Sequence, residues 1–121
     1  MNSKPQHLVQ GEIAEHKALQ FLLSQGLSSV SRNYRCKQGE IDLIMRHDTA
    51  LVIVEVRYRK SAKYGSAVET VTAKKQSRII AATCHYLKAN KLTGQAIRFD
   101  VVAMTGDANL NWVQNAFQAG F

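Results

Sequence analysis

Two acidic residues, Asp42 and Glu55, stand inside stretches that are otherwise apolar. They belong to Ile41–Met45 and Leu51–Val56, which are rich in β-branched residues and flank the polar segment His47–Thr49. This pattern is typical of a β-hairpin. A turn centred on residues 48 and 49 places Asp42 directly opposite Glu55, so both carboxyl groups share one face. The same register pairs Arg46 with Leu51 and Ile44 with Ile53.

Two carboxylates in this arrangement need a compensating positive group. Directly opposed residues on paired strands have Cβ atoms roughly 4.5–5.5 Å apart, and like charges there are destabilising. A shared proton, a neighbouring cation or a bound metal ion would relieve the repulsion. Mg²⁺ is typically held by one or two carboxylates together with water and phosphate oxygens, so the hairpin has the features of half of a metal site. The alternative is an exposed edge hairpin whose acids are neutralised by Arg46 and Arg57.

A first helix, over residues 7–25 and ending at Gly26, would bring another acid to the sheet. On a 3.6-residue wheel, Glu12 and Glu15 fall within the apolar face. That face is formed by Leu8, Leu19, Leu22 and Leu23. Glu12 is close to the helix start, where the helix dipole favours an acid for structural reasons. Glu15 lies deeper and is the better candidate for a site beside the sheet.

A second helix, from Thr72 to Asn90, would contribute a lysine. Thr72 is a suitable N-cap residue. The expected buried face consists of Ile79, Thr83 and Tyr86, flanked by Ile80 and Leu87. Lys75 lies one turn before Ile79 and therefore leans towards the sheet, whereas Lys74 and Arg78 point to solvent or to a ligand.

Three further stretches favour strands: residues 27–37, Ile97–Met104 and a short edge strand from Leu110. Asp100, in the second of these, is expected to pair with Arg98 rather than to belong to a site. The order of elements is helix, three strands, helix, strand. It predicts an α/β fold in which helices flank one mixed central sheet.

The composition fits one globular domain spanning residues 1–121. Hydrophobic residues make up 45% and charged residues 21%, which is ordinary for a soluble protein with a real core. The aliphatic runs are only a few residues long and the start, MNSKPQH, is polar, so a cytoplasmic protein without a membrane span is expected. Cys36 and Cys84 are far apart, which supports neither a zinc site nor a disulfide framework.

The charge points to nucleic acid as a partner. The formal net charge is +7 and the isoelectric point is about 9.7. Basic residues alternate with Tyr34 and Tyr58, which suits phosphate contacts with stacking nearby. The alternative is a solvated face with the tyrosines packed beneath. The basic residues expected to contact nucleic acid are Arg35, Arg59, Lys60, Lys63, Lys74 and Arg78.

Several motifs together resemble the YraN-like family of bacterial proteins, which is related to the PD-(D/E)xK nucleases, including restriction endonucleases and archaeal Holliday-junction resolvases. The matching segments are GxxxE at Gly11–Glu15, GEIDLI at Gly39–Ile44, VEVRYR at Val54–Arg59, Lys75, and RFDVV at Arg98–Val102. They cover nearly the whole chain. The resemblance implies a restriction-endonuclease-like core.

The resemblance also implies a role for each site residue. In the superfamily, acids at the positions of Asp42 and Glu55 bind Mg²⁺ or Mn²⁺, helped by the backbone carbonyl at the position of Val56. A lysine orients or activates the attacking water, and the first-helix acid, here Glu15, assists at the metal. Such ions polarise a phosphoryl oxygen and lower the pKa of bound water. The implied activity is hydrolysis of phosphodiester bonds in DNA, including branched DNA, and the resolvase relatives imply a homodimer.

One departure from the superfamily pattern affects the chemistry. Arg57 stands where the lysine is expected. Arginine stays protonated and cannot act as a base, although it can stabilise charge on phosphate. Lys75 could supply the lysine from another position, with Arg57 as the electrostatic stabiliser.

Three functions are compatible with these residues. The first is a metal-dependent endonuclease that requires Asp42 and Glu55. The second is a non-catalytic nucleic-acid-binding module that retains the nuclease fold, with an affinity that falls steeply with salt and is indifferent to the two acids. The third is an interaction protein whose basic face meets an acidic partner, although no residue argues for it specifically.

Overall fold

The computed structural model describes residues 6–60, 68–106 and 109–119, and these segments form two α-helices around one β-sheet. The helices are α1, Gln6–Ser24, and α2, Ala73–Ala89. The strands are β1, Ser28–Cys36; β2, Gly39–His47; β3, Ala50–Arg59; β4, Ala96–Thr105; and β5, Leu110–Phe117. A short 3-10 turn, Val68–Thr70, precedes α2.

The sheet is mixed and follows the chain order β1-β2-β3-β4-β5. β3 and β4 are parallel and are joined through α2, whereas the other three pairs are antiparallel. A parallel pair needs such a crossover connection. The predicted α/β fold with a mixed central sheet is therefore confirmed, and the stretch from Leu110 is a full edge strand.

Each face of the sheet packs against one helix. On one face, α1 contributes Ala18 and Leu22 to a cluster with Val54 and other strand residues. On the other face, α2 contributes Ile79 and Ala82 to a second cluster. The central strands are consequently apolar on both faces, which is typical of strands covered by helices on both sides.

The predicted hairpin between β2 and β3 forms with the expected register. Arg46 pairs with Leu51 and Ile44 with Ile53, and the last paired residues are Leu43 and Val54. The next position along each strand is Asp42 or Glu55. The alternative of an exposed edge hairpin is wrong. β1 pairs with the outer edge of β2 and β4 pairs with the outer edge of β3, so the hairpin is central in the sheet.

The helix ends follow local sequence signals. Thr72 caps α2 by accepting a hydrogen bond from the Lys75 backbone N–H at 3.1 Å. α1 ends at Ser24 and is followed by Gly26, whose φ of 94° suits glycine, and Leu27 N–H donates to Leu22 O at 3.1 Å. The prediction that Leu23 lies on the buried face is wrong, since Leu23 is 41% exposed.

Asp100 has a structural role, as predicted. Its carboxylate accepts two hydrogen bonds of 2.9 Å from Arg98 and further bonds from Trp112 Nε1 and the Asn115 backbone N–H. These bonds connect β4 to β5 and satisfy a buried charge. Across the segments that the structure describes, no helix has both the length and the apolar character needed to cross a membrane.

Candidate active site

Glu55 is an acidic side chain buried in the central strand. It is 5% exposed and follows four buried apolar residues of β3. Its Oε2 atom is buried without a hydrogen-bond partner. A carboxylate oxygen in that condition is costly, because burial removes hydration that the contact with Lys75 Nζ at 3.5 Å replaces only in part. Such a group is expected where a ligand completes the environment.

Asp42 lies beside Glu55 at a local break in the sheet. The β1–β2 pairing passes from Leu43 to Ile41 without a partner for Asp42, and the β2–β3 pairing stops at Leu43. The Asp42 carboxylate instead accepts a hydrogen bond of 2.8 Å from the Val56 backbone N–H. The Asp42 side chain therefore accepts a hydrogen bond from the β3 backbone at the point where β2 and β3 separate.

The environment favours the neutral form of Glu55. Burial, followed by the adjacent Asp42 carboxyl, raises the pKa of Glu55 to about 9, and the positive charges of Lys75 and Arg57 counteract the rise only in part. A carboxyl group with a pKa this high holds a proton at neutral pH in the cation-free protein. The repulsion expected between opposed carboxylates is thus relieved by a proton in this state.

Glu15 of α1 reaches the same group of carboxyls. Burial and the nearby Asp42 raise the pKa of Glu15 to about 7, against the opposing effects of Arg32 and Asn33. Glu12 is exposed on the same helix. The structure therefore brings Glu15, rather than Glu12, to Asp42.

Asn33 and Arg32 of β1 are neighbours of Glu15 that sequence reasoning did not assign to the site. Asn33 lies opposite the unpaired Asp42 and has a φ of 52°, in the left-handed region. Non-glycine residues rarely adopt this conformation, and asparagine is among those that tolerate it best. The available signal in the sequence was an asparagine inside a predicted strand, in the strand that comes directly before the hairpin with the two acids.

Lys75 approaches the carboxyls from the opposite helix. Its Nζ lies 3.5 Å from Glu55 Oε2, and its side chain is 32% exposed. The lysine therefore stands between Glu55 and solvent. The hydrogen bond from its own backbone N–H to the cap residue Thr72 holds this end of α2 in place.

Arg57 lies near Glu55, but its guanidinium group is engaged elsewhere. Nε donates to Thr70 Oγ1 at 3.2 Å and Nη2 donates to Thr70 O at 2.9 Å. Arg46, the other cation considered for charge compensation, donates to Gln95 Oε1 at the other end of β2. Of the two, Arg57 is the one that affects the pKa of Glu55.

The donor set suits a hard divalent cation that completes its shell with other ligands. Within the described residues, no three His, Cys, Asp or Glu side chains form a complete metal site by themselves. Asp42 and Glu55 are nevertheless adjacent, and Val56 follows Glu55 directly and is hydrogen-bonded to Asp42. Mg²⁺ commonly uses one or two carboxylates and takes its remaining oxygens from water and phosphate. Glu55 Oε2, which accepts no hydrogen bond, fits that type of ligand.

The predicted nucleic-acid-binding residues are distributed over two regions. Arg35 and Arg78 line a cleft that Lys75 also lines, and Lys74 is exposed on the same helix. Arg59 and Lys60 lie at the end of β3. Lys63 lies outside the described residues.

The fold is a mixed five-stranded sheet with a helix on each face and acids where two central strands separate, which is a restriction-endonuclease-like core. The profile of the uncharacterised protein family UPF0102 matches residues 14–104. The chain belongs to this family, and the resemblance to YraN-like proteins is confirmed.

Bacterial relatives support the same assignment over most of the chain. A UPF0102 protein of Saccharophagus degradans is 53% identical over 112 residues, covering 92% of this chain and 94% of the relative. A UPF0102 protein of Hahella chejuensis is 48% identical over 109 residues, covering 88% of each chain. One of Aeromonas hydrophila is 49% identical over 109 residues, covering 88% of this chain and 83% of the relative.

Proposed function

We propose that this protein is a metal-dependent endonuclease of the PD-(D/E)xK type that hydrolyses phosphodiester bonds in DNA. The observation that carries the proposal is the buried Glu55 carboxyl, which lies beside Asp42 with an oxygen that accepts no hydrogen bond. The contact with Lys75 Nζ at 3.5 Å does not give this oxygen a hydrogen bond, so a ligand for it is the simplest reason for its buried position. Strongly raised pKa values at two carboxyls in one cluster agree with a functional site.

Each carboxyl group of the cluster has a proposed role in binding a cation. Asp42 and Glu55 are the proposed ligands of Mg²⁺ or Mn²⁺, together with the Val56 carbonyl, and Glu15 assists from α1. The chemistry that such an ion supplies is polarisation of a phosphoryl oxygen and a lower pKa for the attacking water. The protein's own task is to release the proton of Glu55 and to keep Asp42 fixed through the Val56 N–H.

Lys75 is the proposed lysine of the site. Its Nζ is 3.5 Å from Glu55 Oε2 and faces the solvent side of the cluster, where an attacking water would be oriented. Arg57 contributes positive charge near Glu55, and its hydrogen bonds to Thr70 hold it away from a direct role in proton transfer. The lysine function is thus proposed to come from α2 rather than from β3.

The net charge of +7 supports a polyanionic substrate. DNA with branched structure is the proposed substrate, by analogy with the resolvases, and this analogy also supports a homodimer. A DNA substrate implies action in the cytoplasm. Sedimentation velocity tests the dimer, and a panel of linear, flap and four-way-junction DNA tests the substrate.

Calorimetry of Mn²⁺ binding tests the centre without any assumption about substrate. The wild type is expected to bind one ion per chain, and Asp42→Asn combined with Glu55→Gln is expected to abolish binding. Asp48→Asn is the matched control, because Asp48 is an exposed acid at the β2–β3 turn. An unchanged isotherm in the double variant, or no Mn²⁺-dependent cleavage of any substrate by the wild type, would reject the proposal.

One observation favours a second function, a nucleic-acid-binding module without catalysis. The superfamily lysine position is occupied by Arg57, whose guanidinium group is bonded to Thr70 rather than directed at the carboxyls. A binding module predicts DNA affinity that is unaffected by Asp42→Asn and Glu55→Gln, with no Mn²⁺ heat. The calorimetry above separates the two functions.

A further inference from the structure

A cleft of about 300 Å³ lies between the β1–β2 turn and the first half of α2. The turn side includes Arg35 and Lys37, and the helix side includes Lys75 and Arg78. Four of its nine lining residues are therefore cationic, and one, Glu40, is anionic. A concave surface with this charge concentrates anions more effectively than the same residues would on a flat surface.

The cleft is connected to the candidate active site through Lys75. This side chain lines the cleft, and its Nζ also lies 3.5 Å from Glu55 Oε2. An anion held in the cleft is consequently next to the carboxyl cluster. A polymer with regularly spaced negative charges is the type of ligand that could occupy both places at once.

The two walls of the cleft are held together by close backbone packing. Gly39 begins β2, and a Cβ atom at this position would lie 2.6 Å from the Arg78 backbone oxygen. Real Cβ atoms do not approach backbone so closely, so only glycine allows α2 to approach the strand in this way. The distance between Arg78 and the turn is thus built into the fold.

Glu40 restrains the positive potential of the cleft. Its Oε2 lies 3.3 Å from Arg35 Nε, and the two side chains are 50% and 75% exposed. An exposed ion pair of this kind contributes little to stability. Its main effect is to neutralise one of the four cations, which leaves the cleft with a lower affinity for anions than its cations alone would give.

We propose that this cleft binds the phosphodiester backbone of a nucleic acid strand beside the bond that the carboxyl cluster acts on. The inference rests on the proposed function for the nature of the ligand. It adds a location for the nucleic acid strand, assigns Lys37 as a contact, and makes Glu40 a residue that limits affinity. Lys75 belongs both to the cleft and to the candidate active site.

Fluorescence anisotropy with a labelled 20-nucleotide DNA, as single strand and as duplex, tests the cleft in EDTA, where no cleavage occurs. Arg78→Gln and Lys37→Gln are each expected to weaken binding about 3- to 10-fold and to reduce the slope of log affinity against log salt by about 1. Lys88→Gln, at the other end of α2, makes the same charge change outside the cleft. Equal losses in all three variants would reject the cleft, since only net charge would then matter.

Glu40→Gln gives an opposite and more demanding test. Removing this acid frees Arg35, so the affinity for DNA is expected to rise about 3-fold or more. Asp48→Asn adds the same charge at the far end of β2 and is expected to have a smaller effect. An equal rise in both variants, or none in Glu40→Gln, overturns the inference.

The experiments distinguish failure of the proposed cleft from failure of the proposed endonuclease function. Cleft-dependent binding without Mn²⁺ binding would retain the cleft and reject the endonuclease. Mn²⁺-dependent cleavage with binding indifferent to Arg78, Lys37 and Glu40 would retain the endonuclease and reject the cleft. Preference for a polyglutamate peptide over DNA at matched charge would assign the cleft to acidic protein and overturn the inference.

Discussion

The guanidinium group of Arg57 is hydrogen-bonded to Thr70 through both Nε and Nη2. Thr70 lies two residues before the N-cap of α2, and that cap holds the backbone of Lys75. One side chain of β3 therefore fixes the segment that leads to the proposed lysine. Two donors in fixed geometry are a property of arginine that lysine lacks.

Arg57→Lys is expected to destabilise the protein by about 1–2 kcal/mol, because one of the two bonds to Thr70 is lost. Urea unfolding measures the change. Thr70→Val also removes one of the two bonds, the one to Oγ1, and is expected to cost about the same. Hydrogen exchange should show reduced protection in the first turn of α2 with unchanged protection in its last turn. Equal stability of Arg57→Lys and the wild type would contradict this role.

Glu55→Gln is expected to stabilise the cation-free protein at pH 8 by about 1–3 kcal/mol. The pKa of Glu55 is about 9 in the folded state and near 4.5 when unfolded. The contribution of this group to stability is therefore complete below pH 4.5 and is lost as the pH rises towards 9. Thermal unfolding from pH 4 to 9 in EDTA should show a decline that Glu55→Gln reduces. Parallel curves for both proteins would mean that Glu55 ionises normally.

Mn²⁺ affinity is expected to increase with pH, by up to about tenfold per unit between pH 7 and 8.5, because the cation must displace the proton of Glu55. Calorimetry in two buffers of different ionisation enthalpy counts the protons released. Glu15→Gln is the control, since the pKa of Glu15 is about 7 and its removal should reduce the dependence mainly below that pH. A pH-independent affinity would show that Glu55 is already ionised in the free protein.

Lys75→Met is expected to lower Mn²⁺-dependent cleavage by about 10²- to 10⁴-fold, measured at saturating Mn²⁺. The lysine lies beside Glu55 without sharing the role of ligand. Lys88→Met removes a charge from the last turn of the same helix and should leave the rate unchanged. Full activity in Lys75→Met would exclude this lysine from the chemistry.

Asn33→Ala is expected to destabilise the protein by about 1 kcal/mol more than Asn33→Gly, because alanine is strained at a φ of 52° and glycine is not. Both substitutions remove the contact with Glu15 and should raise its pKa above 7 to the same extent. Urea unfolding measures the first effect and NMR titration of Glu15 the second. Identical stabilities would show that residue 33 does not hold the left-handed conformation.

Local signals in the sequence were sufficient for much of the fold. The hairpin register follows from the short polar turn at His47–Thr49, and Thr72 marks the start of α2 by its capping chemistry. Helical periodicity also indicated that Lys75 leans towards the sheet. Periodicity failed at Leu23, because the buried side of α1 runs through Ala18 and Leu22, and Leu23 lies about 100° around the helix from Leu22, which leaves its side chain 41% exposed.

The remaining parts of the candidate site depend on contacts between distant segments. Arg57 and Thr70 are thirteen residues apart and meet only after the chain returns to α2. Asn33 and Arg32 reach Glu15 because β1 pairs with β2 beside Asp42. The depth of Glu55 requires the parallel pairing of β3 with β4, which no local pattern indicates. These relationships are tertiary, so the sequence pattern alone could not supply them.

The position of Gly39 tolerates no side chain, although the residue carries no charge and no chemistry. A substitution here adds a methyl group or more against the Arg78 backbone oxygen, which cannot move without moving α2. The resulting shift of the helix would carry Lys75 away from Glu55 and widen the cleft at the same time. A single inherited change from glycine to alanine, in a residue that has no side chain of its own, would thus inactivate an otherwise folded protein.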